Sequence, residues 1–363
     1  MPSEPETAIS ASSQDLFGLN HASYGAFADE LFPSVTDCTV PPLMPSTRPI
    51  VIAHRGASGY LPEHTLEAKA YAHAVGSDFL EQDVVLTRDG VPIVLHDIHL
   101  DTVSDVARKF PGRHREDGRF YAIDFTWDEV QQLRASERFQ PATGKAVYPG
   151  RFPVNQSRFS IPSLQEELEF IAGLNFSTGR TAGIYTELKQ PRFHREAGQD
   201  ISKIVLDTIS KTGWDRNPSQ VFIQCFEPIE TRRLKSELGC RMPVIQLLGE
   251  DKWIELVKAG RVTDLEKELE QVREYADGVG PALGHLILSR EPDGFVRTSP
   301  LVEAAHKHQL RVHPWTIRAD DLPKQVTSLD ELHDVLFTQL GVDGAFSDFP
   351  DLTVHFIHDL KRG

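Results

Sequence analysis

Residues 79–97 read FLEQDVVLTRDGVPIVLHD. Apolar Leu80, Val84 and Val85 mark a buried strand, and Asp89-Gly90 is a strong hairpin-turn pair. A parallel crossover needs a dozen or more residues, so the arms 84–88 and 91–96 must run antiparallel. Folding back about that turn brings His96 alongside Glu81 to Asp83. These two acids are two residues apart, so both carboxylates leave one face of the strand. Buried side by side they repel, unless a cation neutralises them or one takes up a proton. A hard divalent cation with oxygen ligands is the natural partner.

Outward from this stretch the strand signal recurs. Short apolar runs lie at 50–54, 78–84, 183–189, 221–225, 243–247, 278–281, 310–316 and 344–347, with amphipathic segments such as 65–75, 201–212, 265–276 and 300–308 between them. Alternating buried strands and helices indicate a parallel sheet. Eight such strands predict an α/β fold, the TIM (β/α)8 barrel, over residues 49–359, though six or seven in an open sheet would read similarly. Capping-box pairs Thr126/Glu129, Ser163/Glu166 and Ser328/Glu331 mark helix starts. Residues 101–180, rich in Arg, Asp, Gly and Pro, show two short helical patterns and no clear strand. A stretch this long predicts a subdomain inserted after the second strand, over the functional face of the barrel. Residues 1–48 lack periodicity and read as an N-terminal extension.

Composition narrows the function classes. Fifty-three acidic residues against 38 basic ones give a net charge of −15, which argues against a nucleic-acid or anionic-membrane surface. Three cysteines (Cys38, Cys225 and Cys240) without a CxxC exclude a disulfide framework or a four-thiolate zinc site. No apolar run approaches the roughly 18 residues of a membrane span, and no basic start followed by an apolar stretch opens the chain. The expectation is a cytoplasmic protein. Nucleotide-binding glycine motifs and a Gly-x-Ser-x-Gly elbow are absent.

Several side chains stand at strand ends, where α/β folds carry their sites. His54 and Arg55 follow the first strand, and Arg suits two-point binding of a phosphate or carboxylate. His54 and His96 near one cation can act as base and acid, because their unperturbed pKa lies near neutrality. Glu187 and Lys189 repeat the spacing of two. They supply a third carboxylate and a positive charge, or simply an internal salt bridge. Gln224, Phe226, Gln246 and Trp315 end further strands; Phe226 reads as core packing and Trp315 as a pocket wall. Cys225 reads as a small buried hydrophobe, and His306, His308, His333 and His355 as surface residues.

Taken together, IAHRGASGYLPEHTLEA (52–68), the 79–97 stretch, YTELK (185–189), IQCF (223–226), HPWTIR (313–318) and GVDGAFSDFP (341–350) resemble the glycerophosphodiester phosphodiesterase family. The motifs run in family order over roughly residues 49–356. YLPEHT, FPGRHREDGRFYAIDFT and IQCF look closest to the bacterial periplasmic-type enzymes. The resemblance implies a TIM barrel that cleaves glycerophosphodiesters, such as glycerophosphocholine, to sn-glycerol 3-phosphate and an alcohol. It implies His54 and His96 as the acid–base pair, and Glu81, Asp83 and Glu187 as ligands of Ca²⁺ or Mg²⁺. Arg55 and Lys189 would contact the phosphate; Gln224, Phe226 and Trp315 would line the substrate. His64 stands where many relatives carry Asn. A periplasmic or secreted location is the alternative to the cytoplasm. Small-molecule substrate is the expected partner, with self-association left open. Other readings are a phosphodiesterase acting on another lipid-derived headgroup or a lysophospholipid, and a non-catalytic barrel that binds glycerol phosphate.

Overall fold

A computed structural model describes residues 48–249 and 251–360, so nearly all of the 1–48 extension lies outside the described residues. Its strands are β1 (Ile50–Ala53), β2 (Phe79–Leu86) with its returning arm β3 (Pro92–Val94), β4 (Gly183–Leu188), β5 (Val221–Cys225), β6 (Val244–Leu248), β7 (Gly278–Pro281), a separate hairpin β8 (Ile287–Arg290) and β9 (Val296–Thr298), then β10 (Arg311–Val312) and β11 (Gly344–Ser347). Eight of them pair in the order β10-β7-β6-β5-β4-β2-β1-β11, every pair parallel. The two edges meet: Phe346 N–H donates to Pro314 O at 3.0 Å and Ile317 N–H to Phe346 O at 2.8 Å. The sheet closes into the expected (β/α)8 barrel.

β10 is shorter than the apolar run 310–316. Pro314 has no N–H to donate, so the ladder stops near it and resumes only as the isolated bridges Ala282↔Trp315 and Ile317↔Ser347. Inside the barrel, Ile52, Tyr185, Phe222, Ile245 and Phe346 form one buried cluster. Tyr185 and Phe222 stack at 4.8 Å, and the Tyr185 hydroxyl lies 3.0 Å from His313 Nδ1. This aromatic plug fills the interior.

The hairpin forms as read. β2 and β3 pair antiparallel through Val84↔Val94, Val85↔Ile93 and Leu86↔Pro92, and Gly90 takes the left-handed φ of +79° that the turn requires. Leu95 N–H then donates to Asp83 O at 2.8 Å, which delivers His96 to the acidic end of β2.

The 101–180 span resolves into two parts. Residues up to about 162 pack Leu100, Val106, Phe120, Phe125, Val130 and Phe159 with Val85, Ile93 and Leu95 of the β2–β3 hairpin in one small cluster, with short helices Val106–Lys109 and Trp127–Val130. The 15-residue helix Leu164–Thr178 instead lies on the barrel: its Leu164, Leu168 and Ile171 join the cluster that holds Val84, Ile184 and Ile223. The Ser163/Glu166 capping box that opens it is complete in both directions.

Among the surface histidines expected from sequence, His306 and His355 are exposed and His308 is half-buried. His333 departs: it is 1% exposed, with Nε2 3.1 Å from Thr353 Oγ1, because its helix turns that face toward the C-terminal helix Pro350–Leu360. No helix among the described residues is long and apolar enough to cross a membrane.

Candidate active site

The site is built from loops at the C-terminal ends of the strands. After β1 the chain turns sharply, with Arg55 at φ +58° and Gly56 at φ +84°. A Cβ on Gly56 would lie 2.8 Å from the Ala68 carbonyl carbon, so only glycine fits there. The turn aims the Arg55 peptide N–H at Glu81 Oε2, 2.5 Å away.

Two histidines are each held by a carboxylate. His54 Nδ1 lies 2.5 Å from Asp348 Oδ1, one residue past β11, and Asp348 Oδ2 accepts from Arg151 Nη2 at 2.6 Å and Arg318 Nε at 3.0 Å. Burial and then the Arg55 charge push His54 down to about 4, with Asp348 opposing. The imidazole is therefore neutral at pH 7. Its Nδ1–H donates to Asp348, leaving Nε2 as an acceptor 3.3 Å from Arg55 Nε. His96 repeats the pattern: Nδ1 is 2.6 Å from Asp97 Oδ1, and Asp97 Oδ2 accepts from Arg138 Nη1 at 2.6 Å and Thr102 Oγ1 at 3.0 Å. Burial, with Arg55 and Lys189 adding, also lowers His96.

The acids face these histidines. Glu81 and Asp83 are each 1% exposed, and Asp83 pairs in register with Glu187 on β4. Asp83 Oδ2 lies 2.8 Å from His64 Nε2 and 3.6 Å from Arg55 Nε. Lys189 Nζ stands 2.6 Å from Glu187 Oε1 and 3.5 Å from Asp83 Oδ1. Burial works against ionising Asp83, but Lys189, His96 and His64 outweigh it and hold this carboxyl well below the usual range. Burial, then Asp83, raises Glu81 well above it. Glu187 is pushed up to about 8 by burial, with Lys189 opposing and Asp83 adding. On the outer side of β2, buried Lys69 donates to the Glu81 carbonyl and to Glu167 Oε1, anchoring the acidic strand from behind.

The cavity above these groups has two lobes that share His54, Arg55, His96 and Arg318. An inner lobe of about 80 Å³ reaches Glu187, Lys189, Gln224, Phe226 and Trp315. An outer lobe of about 160 Å³ reaches Arg138, Tyr148 and Arg151 of the insertion. A larger concavity of about 650 Å³, around Arg108, Arg134 and Arg158, contains none of these residues.

Ten of the eleven strand-end residues singled out from sequence thus stand at one mouth. Phe226 is not core: at 37% exposure it lines the inner lobe, edge-to-face with Trp315 at 5.7 Å, because Cys225 takes the buried position before it. Gln246 stays out of the cavity and donates Nε2 to the Phe226 and Leu247 carbonyls at 3.1 and 3.0 Å. Among possible cation ligands in the described residues, the atoms lying within 4.8 Å of one another belong to His64, Glu81 and Asp83; His64 was not in the expected set, and Glu187 is not in this one. Sequence reading also passed over Asp97, Asp348 and Arg318, although each sits inside a quoted motif. Arg138 and Arg151 carried no local signal.

The family described as glycerophosphoryl diester phosphodiesterase matches residues 54–352. The chain belongs to that family. Members similar to it include the glycerophosphodiester phosphodiesterase of Haemophilus influenzae, 43% identical over 337 residues (86% of this chain, 90% of that protein). The glycerophosphodiester phosphodiesterase of Treponema pallidum is 38% identical, covering 85% of this chain and 91% of that protein. An Oleispira antarctica phosphodiesterase solved in complex with the product sn-glycerol-3-phosphate shares the fold at TM-score 0.56 and 21% identity, covering 86% of this chain and 98% of that one. As a member of the glycerophosphoryl diester phosphodiesterase family, the chain is an enzyme.

Proposed function

We propose that the chain hydrolyses glycerophosphodiesters, glycerophosphocholine and glycerophosphoethanolamine among them, to sn-glycerol 3-phosphate and the free alcohol. The observation that carries this reading is the meeting of two histidine–carboxylate pairs with three buried acids at one barrel mouth. In this reading the phosphate sits where the two lobes join, against Arg55 and Lys189. The diester carries one negative charge, and more develops on its non-bridging oxygens as the bond breaks; the two cations stabilise that increase. One histidine takes a proton from the attacking hydroxyl, which is a water or the glycerol 2-OH; in the second case a cyclic phosphate forms and a water then opens it to sn-glycerol 3-phosphate. The other protonates the departing alcohol, and each transfer is worth roughly 10²–10⁴-fold. Asp348 and Asp97 hold the imidazoles in the tautomer that presents Nε2 to the cavity. Phe226 and Trp315 flank the glycerol carbons in the inner lobe. Buried Gln224 Oε1, which has no hydrogen-bond partner among the described residues, accepts from a glycerol hydroxyl.

The acidic set fits a divalent cation. Glu81, Asp83 and Glu187 stand on neighbouring strands, and among the described residues buried Asp83 Oδ1 has no hydrogen-bond partner. Carboxylate oxygens suit hard ions, so these three would hold Ca²⁺ or Mg²⁺, with His64 bonded to Asp83 in support. When bound, such an ion would act as a Lewis acid toward a phosphoryl oxygen. The Oleispira antarctica phosphodiesterase, which shares the fold, was solved in complex with sn-glycerol-3-phosphate, the product this reading expects. A non-catalytic role finds no support in a site that keeps both histidine pairs intact.

The test is direct. Purified protein is incubated with glycerophosphocholine and glycerophosphoethanolamine, with chelator or with added Ca²⁺ or Mg²⁺, and sn-glycerol 3-phosphate is measured enzymatically. Release that falls on chelation and returns with either ion is the expected result. No release from either diester with either ion overturns the reading.

A further inference from the structure

Resting on the phosphodiesterase reading above, we propose that the outer lobe receives the departing alcohol and selects polyol headgroups, such as glycerol or inositol, over quaternary ammonium ones. The two ester arms diverge from phosphorus, and in-line displacement puts the leaving oxygen opposite the attacking one. With the glycerol arm between Phe226 and Trp315, the second arm enters the lobe formed with the insertion.

The walls of that lobe are poor partners for a trimethylammonium group. They carry four guanidiniums (Arg55, Arg138, Arg151 and Arg318) and two carboxylates, Glu63 and Asp348. Neither carboxylate is free. Glu63 accepts from Arg55 at 3.0 Å and from Arg138 at 2.6 and 2.9 Å, and Asp348 is taken by His54, Arg151 and Arg318. Asp97 and Asp320, which bind Arg138 and Arg151, bring the surrounding charge to balance without adding an uncommitted anion to the wall. An aromatic cage is missing as well. Tyr148 is the one aromatic side chain that lines the lobe among the described residues, and the Arg151 guanidinium already covers its ring at 3.8 Å, with that of Arg318 at 5.8 Å.

The same walls suit hydroxyl groups. Guanidinium N–H groups donate to hydroxyl oxygens in several directions, and the Tyr148 hydroxyl both donates and accepts. Arg138 and Arg151 spend most of their N–H groups on Glu63, Asp97, Asp320, Asp348 and the Ser58 carbonyl, so the donors left for a headgroup hydroxyl are chiefly the Nη groups of Arg318 and Nη2 of Arg55.

The experiment compares kcat/KM for glycerophosphoglycerol, glycerophosphoinositol and glycerophosphocholine, all read through sn-glycerol 3-phosphate. The expected result is a value at least about tenfold higher for the two polyol diesters, since each hydroxyl–guanidinium hydrogen bond is worth several-fold. Equal values, or a preference for choline, overturn the proposal while leaving the phosphodiesterase reading standing. Failure of all three substrates overturns that reading itself. Tyr148→Phe keeps the ring under Arg151 and removes only the hydroxyl. It should narrow the polyol-to-choline ratio by about 3- to 10-fold, chiefly through KM, with an unchanged melting temperature. A ratio that does not move removes Tyr148 from the selecting surface.

Discussion

Replacing Asp348 by Asn isolates what the carboxylate does for His54. Asp348 is 1% exposed and meets His54 Nδ1 at 2.5 Å, Arg151 at 2.6 Å and Arg318 at 3.0 Å. An asparagine there has one acceptor and one donor side. The two guanidiniums compete for the acceptor, so the amide NH₂ turns toward Nδ1. That moves the imidazole proton to Nε2, the nitrogen that should face substrate as an acceptor, as in the asparagine form of a Ser-His-Asp triad. Losing one proton transfer costs about 10²–10⁴ in rate, or about 3–5 kcal/mol of barrier at 1.36 kcal/mol per decade. Breaking a buried ion pair costs about 3–5 kcal/mol of stability, but Arg151 keeps Asp320 at 2.8 and 3.0 Å, so the loss here falls at the lower end. We expect kcat to drop at least 100-fold with KM within about threefold, and a lowered but cooperative unfolding transition. Asp348→Glu, which keeps the charge, should recover part of kcat. A folded Asp348→Asn enzyme with kcat within about fivefold of the parent would refute the reasoning.

His54→Ala and His96→Ala should each lower kcat by about 10²–10⁴ with an unchanged circular dichroism spectrum; comparable turnover in either folded variant ends the acid–base assignment. Lys69→Met strands buried Glu167 and should cost about 3–5 kcal/mol in urea unfolding, most of it regained in Lys69→Met/Glu167→Leu; simply additive losses would contradict the pairing. Stability should also fall on acidification. Burial pushes His194, His313 and His333 down to about 4, so the unfolded chain binds more protons between roughly pH 6.5 and pH 4 and stability falls with pH through that window. Each contributes up to about 3 kcal/mol there. Glu137 and Glu187, each raised by burial to about 8, and Glu81 and Glu167, also raised by burial, run the other way, while His54 and His64, lowered by burial to about 4 and about 3, add to the fall. A urea midpoint that stays flat or rises from pH 6.5 to 4.5 would refute this.

The alternation of buried strand and helix, the Asp89-Gly90 turn, the helix caps and the spacing of Glu81 and Asp83 are properties of neighbouring residues. Turn chemistry and periodicity act over a few positions, so barrel, hairpin and acidic strand were legible in one dimension. His54 and His96 could be placed at strand ends on the same grounds. The partners that make these histidines useful were another matter. Asp348 reaches His54 across 294 residues because β11 closes on β1, and no local pattern encodes that closure. Arg151 comes from the segment between β3 and β4 and Arg318 from beyond β10, and they meet only because the closed barrel brings both to the carboxylate that follows β11. Burial was equally out of reach: Phe226 opens onto the cavity and His333 sinks beneath the C-terminal helix according to what packs over each. Periodicity sets which side of its own element a residue occupies; what covers that side depends on packing between segments far apart in the chain.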